Sequence, residues 1–379
     1  MYDKKRKIKL TYIFTHHIRW VSFEWVAKYI DRSKFDIDYL ILNESDPMID
    51  FLKEMSIPYK TTSYKNYEDT PEVVKFIYDH LIANQTDVVH THFFSGDLAG
   101  QQAAFYAGVP VRVYTRHHSG IKWKRHARSK YELLWNLATN IIALTNQGKK
   151  IMLADGVPED KITIIPHGFD LKEFEKVDLF RIDKIKDKYL NNHSKPIIGV
   201  ASRYIERKGI QYIIEAYKKV LEFYPNATLM LTGTHADTAH IKDNLAELPT
   251  HSYVEIYFEE DLFALFRLFD VFVHVPTVPD AEAFGQVYIE AMLSKVPSVI
   301  TLSGVAHDYA LHQENTWVVD YQNSDQIAEG ILTLLNDRPL REKIIKNGLA
   351  CAKNYTIENH TRQLEQLYIQ QLEKSQNKN

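Results

Sequence analysis

The chain has 379 residues, 45% of them hydrophobic, and a formal net charge of −3. That length favours two domains over one, and the near-neutral balance provides no field to recruit nucleic acid, so no nucleic-acid partner is expected. The single cysteine, Cys351, excludes an intramolecular disulfide and a cysteine-based zinc cluster and suits a reducing compartment, so a cytoplasmic protein is expected.

From the N-terminus, "IKLTYIFT" reads as a first strand. It is too short for the apolar core of a leader, contains Lys9 and precedes no small-residue cleavage pattern. The strand-like runs "FDIDYLIL", "DVVHTHFF", "VRVYTRHH", "NIIALT" and "KITIIP" follow, with helical patterns between them. A charge-dense stretch after "IIPHG" breaks the rhythm, and the domain junction is placed there, at 168–195. The rhythm restarts with "PIIGVAS", "ATLMLTG", "YVEIYF", "DVFVHVP", "PSVIT" and "TWVVD". This alternation predicts two parallel α/β sheets. After "IERKG", residues Ile210, Ile213, Ile214, Tyr217, Val220 and Leu221 share one helical face, which predicts a helix packed on a sheet. The C-terminal "IENHTRQLEQLYIQQLEKS" reads as a helix. No run of about 18 apolar residues appears, so no membrane span is expected.

In open parallel sheets, ligands gather at the carboxyl ends of the strands. Behind "PIIGVAS", the loop "RYIERKGI" carries Arg203 and Lys208 just before a helix start, two cations beside a positive helix end that suit a diphosphate. An ordinary solvated loop fits the same residues. Behind "DVFVHVP", the stretch "PDAEAFGQVYIEAM" places Glu282 in a loop and Glu290 a turn into the following helix, whose buried side is predicted to be Val287, Ile289, Ala291, Met292 and Val296. A loop carboxylate can accept hydrogen bonds from vicinal hydroxyls, and Gly285 lets backbone amides approach a ligand, chemistry that suits a sugar. A helix cap plus a surface acid is the plainer alternative.

The arrangement E-A-F-G-Q-V-Y-I-E-A-M resembles the E-x7-E motif of retaining nucleotide-sugar glycosyltransferases of family 4. The landmarks "DVVHTHFF", "VYTRHH", "IIALT", "ITIIPHGFD", "GVASRYIERKG" and "LMLTG" occur in the family's order, strongest in the second half. The resemblance implies the α/β GT-B fold, two Rossmann-like β/α/β domains facing across a cleft: an acceptor-side domain over 1–170, with the C-terminal helix 357–375 packed back on it, and a nucleotide-sugar-binding domain over 171–356. It implies retaining, metal-independent transfer of a sugar from a nucleoside diphosphate to a glycan, lipid-linked or polysaccharide acceptor, with no cofactor. By the same resemblance, Arg203 and Lys208 neutralise the donor diphosphate and Glu282 orients the sugar, with the amides around Phe284, Gly285 and Gln286 beside it. Glu290 binds the ribose. His117 contacts the site from the first domain, and His118 and His92 are weaker candidates for that part.

The chain departs from the family at three places. "THHIRWVSFEW" stands where a glycine-rich loop is usual, with Arg19 as a substitute contact; Thr234 and His235 replace a glycine after "LMLTG"; and His307 stands where a glutamate is frequent. The histidine pairs His16–His17, His90–His92 and His117–His118 suggest metal ligation, but adjacent residues on a strand point to opposite faces, no acidic third ligand accompanies them, and His90 and His92, which could share a face, read equally as strand-end polar residues, so no metal is expected. "IKWKRHARSKYELLW", residues 121–135, reads either as an interfacial segment for an anionic leaflet or as a basic helix with its tryptophans turned inward. A nucleotide-sugar 2-epimerase and a non-catalytic homologue are the alternative functions. A glycoside hydrolase built on Glu282 and Glu290 would leave the Arg-Lys pair without a purpose.

Overall fold

The structure, a computed structural model, describes residues 6–15, 20–44, 47–65, 69–118, 125–190, 194–233 and 239–377, the side chains of 125–127 and 239–240 excepted. The expectations at His16, His17, Arg19, Thr234 and His235, and at 121–124, lie outside these residues. The chain divides into two compact units, Met1–Phe169 with Ile357–Asn379, and Asp170–Thr356.

In the first unit the order is β1 (Ile8–Phe14), α1 (Val21–Tyr29), β2 (Phe35–Ile41), α2 (Met48–Glu54), β3 (Tyr59–Thr61), α3 (Thr70–Asn84), β4 (Val88–His92), α4 (Phe94–Tyr106), β5 (Val111–Thr115), α5 (Arg125–Leu137), β6 (Asn140–Ala143), α6 (Asn146–Ala154) and β7 (Ile162–Ile164). The second unit runs α7 (Leu171–Glu175), α8 (Leu179–Tyr189), β8 (Ile197–Ala201), α9 (Ile210–Phe223), β9 (Thr228–Thr232), α10 (Ala239–Ala246), β10 (Tyr253–Ile256) and α11 (Leu262–Phe266). It continues with β11 (Val271–His274), α12 (Gln286–Leu293), β12 (Ser298–Ile300), α13 (Ala306–Tyr309), β13 (Trp317–Val318), α14 (Ser324–Asn336) and α15 (Arg338–Ala352). The last helix, α16 (Ile357–Gln376), belongs to the first unit.

Both sheets are parallel. Their strand orders are β3-β2-β1-β4-β5-β6-β7 and β10-β9-β8-β11-β12-β13. Each order reverses once, between β1 and β4 and between β8 and β11, and such a reversal opens a crevice at the strand ends. Helices cover both faces, so the strands are buried on both sides and read as nearly continuous apolar runs. In β8, Ile198 and Val200 face the core formed with α9 and α14, whereas Ile197 and Ala201 face the one holding Phe266, Phe269 and Ile185. On α9, Ile210, Ile213, Ile214, Tyr217 and Val220 are 0–1% exposed. At about 2 kcal/mol per fully buried side chain, that stripe contributes on the order of 10 kcal/mol before chain entropy is subtracted.

Three local expectations change. The strand in "DVVHTHFF" stops at His92: Phe93 takes φ +63° and α4 starts at Phe94, so the chain turns sharply at the sheet edge. The charge-dense junction contains two helices, α7 and α8, capped by the side chains of Asp170 and Asp178. Helix α12 is buried nearly all round, Tyr288 and Leu293 included, because the parallel sheet and α15 both cover it. On α5, Leu134 and Trp135 pack into the first unit's own core, which fits the inward reading for that tryptophan, while Arg128 and Leu133 are exposed. Among the described residues, no helix is long and apolar enough to cross a membrane.

Candidate functional site

In the second unit the loops leaving β8 and β11 meet at the reversal point. A 3-10 turn, Glu206–Lys208, follows β8, and Gly209 at φ +74° starts α9. A Cβ at position 209 would stand 2.1 Å from the Val275 carbonyl oxygen, so only glycine lets this turn lie against the exit of β11. Hydrogen bonds fasten the loops together: Arg207 Nη2 donates to the Asp280 carbonyl at 2.6 Å, and the Thr277 amide and hydroxyl donate to the Arg207 carbonyl at 3.0 and 3.5 Å.

The result joins two residues that the sequence assigns to different parts of a ligand. Lys208 Nζ donates to Glu282 Oε1 in an ion pair whose side chains are 10% and 12% exposed. His274, the last residue of β11, places Nε2 2.7 Å from the same Oε1. The Glu282 amide donates to Ser303 Oγ at 3.0 Å, which anchors the loop to the exit of β12. Burial works to raise the Glu282 pKa, but the His274 hydrogen bond and the Lys208 charge outweigh it and hold the carboxyl at about 2. His274 is pushed below its ordinary value by burial, only partly opposed by Glu282, so it is a neutral imidazole at neutral pH. An ionised carboxylate only accepts, so Nε2 carries the proton. Neither His274 nor Ser303 stood out in the sequence. A polar residue at the carboxyl end of an apolar strand is the signal that marks His274.

Arg203 is exposed and, among the described residues, has no side-chain partner. Phe284 is buried, and Gly285 caps α12 at φ +84°, a backbone other residues rarely adopt; a Cβ there would meet the Tyr288 ring at 2.5 Å. Gln286 opens α12. Glu290 is 8% exposed with no side-chain partner among the described residues, and burial pushes its pKa up to about 7. His307, on α13, is exposed.

In the first unit, the exits of β4 and β5 gather histidines and aromatics. His92 Nδ1 and His117 Nε2 share a hydrogen bond at 2.9 Å. The His117 ring stacks on Phe93 with centroids 4.8 Å apart and stands edge-on to Trp20 at 5.5 Å. His118 hydrogen-bonds Tyr131 at 3.1 Å instead of joining this group. His90 and His92 share a face with centroids 4.2 Å apart, but both ring nitrogens of His90 are engaged, Nδ1 by Tyr368 at 2.6 Å and Nε2 by Thr115 at 2.8 Å. His167 and His360 complete the wall of a cavity of about 20 Å³, room for about one water. Burial lowers the pKa of His90, His92 and His167 well below the ordinary range and that of His360 to about 4. Among the described residues, no group of three His, Cys, Asp or Glu side chains is arranged to hold a metal ion. Sequence reasoning missed His167, His360, Trp20 and Phe93, which α16 and the sharp turn after β4 bring together.

Two family models match the chain: glycosyl transferases group 1 over residues 181–350, and Glycosyltransferase Family 4 over residues 26–173. The capsular polysaccharide biosynthesis glycosyltransferase CapM of Staphylococcus aureus is 30% identical over 297 residues, covering 74% of this chain and 76% of its own. A glycosyltransferase from Rickettsia africae superposes with a TM-score of 0.81 at 19% identity, over 97% of this chain and 99% of its own. HepE from Anabaena, solved in complex with UDP-glucose, superposes with a TM-score of 0.77 at 21% identity, over 95% and 99%. These two likenesses show a shared fold, of the GT-B class.

Proposed function

The chain belongs to the group 1 glycosyltransferases of family 4, and from that premise we propose that it moves a sugar from a nucleoside diphosphate to a glycan, lipid-linked or polysaccharide acceptor, with retention and without a metal. The observation that carries this reading is the Lys208–Glu282–His274 cluster at the β8/β11 reversal, with Arg203 exposed on the same loop.

The bond from the sugar C1 to the diphosphate oxygen breaks while a bond from C1 to the acceptor oxygen forms on the same face. The acceptor proton passes to a donor phosphate oxygen, and the nucleoside diphosphate leaves. Arg203 and Lys208 stabilise the charge that builds on that leaving group, the work a metal does elsewhere. Glu282 orients the sugar through its hydroxyls, beside the amides around Phe284, Gly285 and Gln286, and Glu290 takes the ribose. Glu282 is no nucleophile in this scheme: its Oε1 is held by Lys208 and His274, and its other oxygen takes a sugar hydroxyl. In the first unit His117, with neutral His92 behind it, is the residue proposed to meet a sugar hydroxyl. The cytoplasm, where a lone cysteine stays reduced, is part of the same proposal.

Thermal unfolding with UDP, GDP, ADP and their sugars, with and without EDTA, tests this. Ligand at 100 times its dissociation constant adds about 2.7 kcal/mol, a shift of degrees. One base is expected to stabilise the protein, insensitive to EDTA, and the product anomer formed from its sugar should keep the donor's configuration. No shift with any base, or a free 2-epimer as product, would overturn the proposal.

A further inference from the structure

We propose that His274 is the positioning residue that keeps Glu282 aimed at the sugar after Lys208 has turned to the diphosphate. This rests on the donor reading above and concerns a residue that the sequence reading did not single out.

His274 is 2% exposed, at the end of a strand whose other residues, Val271, Phe272 and Val273, are fully buried apolar side chains. An imidazole buried there without a partner would cost free energy, and its partner is Glu282 Oε1 at 2.7 Å. Phe272 lies parallel to the ring at 6.2 Å and Tyr288 meets it edge-on at 4.9 Å, so its orientation is set by packing. Lys208 donates to the same oxygen. Two donors on Oε1 fix a terminal torsion that is otherwise broad. Among the described residues Oε2 accepts no hydrogen bond, so one oxygen is held and the other is left for a ligand hydroxyl.

The two donors are not equivalent. Lys208 ends a flexible chain on the loop before α9 and is the cation assigned to the diphosphate. When a phosphate draws it away, Glu282 loses that bond, and only a donor fixed in the sheet still holds the carboxylate. His274 is that donor. An apolar residue at 274 would leave Glu282 free to rotate at the moment the sugar needs it.

The test uses the full-length protein, its His274→Leu and His274→Gln variants, and three probe pairs: UDP with UDP-glucose, GDP with GDP-mannose, and ADP with ADP-glucose. Turnover is read as release of the nucleoside diphosphate with water as acceptor, and the melting midpoint of each variant is recorded. For the pair that the wild type binds, His274→Leu should bind the nucleoside diphosphate within about twofold of wild type yet lose about 100-fold in kcat, the scale of a misplaced reacting group. His274→Gln, which keeps a donor, should recover at least a tenth of the wild-type kcat. Nitrogen NMR of the ligand-free wild type should show His274 protonated at Nε2 and bare at Nδ1. Wild-type turnover in His274→Leu, the opposite tautomer, or parallel losses of nucleotide binding and melting midpoint would each overturn the positioning role alone. A wild type that binds none of the three nucleotides would overturn the donor reading and this inference together.

Discussion

The two reversal points of this chain have the same topology and opposite electrostatics. At β8/β11 the protein buries a full ion pair, Lys208 with Glu282, and adds a neutral donor, His274. At β1/β4 it buries imidazoles that stay neutral, His90 and His92, beside Phe93 and Trp20, with His117 against them. Position in the fold therefore says where chemistry sits, and the side chains say which chemistry. Compensated charge suits a charged leaving group, whereas neutral rings suit sugar faces and hydroxyls.

Four measurements sharpen or break that contrast. The largest effect is expected from Lys208→Ala. Transfer should fall at least about 100-fold, and because Glu282 is left as a buried charge without its cation, stability should fall by about 3–5 kcal/mol. The pair thus makes this an unfolding variant as well as an inactivating one, contrary to a surface cation. Combining Lys208→Met with Glu282→Gln should restore most of the melting midpoint and none of the activity; recovery of activity would dissolve the contrast.

Acid should separate the units next. A histidine whose folded pKa is depressed adds stability that is complete above the unfolded value of 6.5 and is lost as pH falls below it. His360, at about 4, accounts for about 2 kcal/mol of loss by pH 5, and His90, His92 and His167 act in the same direction. In the second unit His274 follows that direction too, but the stabilisation of Glu282 is complete above 4.5 and disappears only as pH falls toward 2. Hydrogen exchange at pH 7 and pH 5 should show protection lost first in the first unit; equal loss in both would contradict the comparison.

Glu290 runs the other way. Its folded pKa of about 7 lies above the unfolded 4.5, so its contribution is present below 4.5 and is lost as pH rises through 7. Glu290→Gln should raise stability at pH 8 by about 1–3 kcal/mol and weaken nucleoside diphosphate binding about tenfold. Calorimetry of the wild type in two buffers of different ionisation enthalpy should detect a proton released on binding near pH 7, as ribose hydroxyls favour the carboxylate.

Arg203→Ala gives the smallest structural effect. Exposed and unpaired among the described residues, Arg203 should leave stability within about 0.5 kcal/mol while nucleoside diphosphate affinity drops about tenfold. An unchanged affinity would remove Arg203 from the diphosphate site.

What the sequence determined by itself is what depends on near neighbours along the chain. Strand and helix rhythm follow from the local spacing of apolar residues, which is why the βαβ alternation and the face of α9 were legible. Spacing likewise placed Arg203 and Lys208 in one loop, and Glu282 and Glu290 on a loop and the helix after it. Tertiary structure decided the pairings. Lys208 and Glu282 are 74 residues apart, and His92 and His117 are 25 apart; the side-by-side registers of β8 with β11 and of β4 with β5 bring each pair together. His274 looked like one more strand residue because its meaning lies in the loop that folds back over it. His360 was unreadable for the same reason: it reaches the first unit's cavity only because the last helix returns to a sheet laid down at the beginning of the chain.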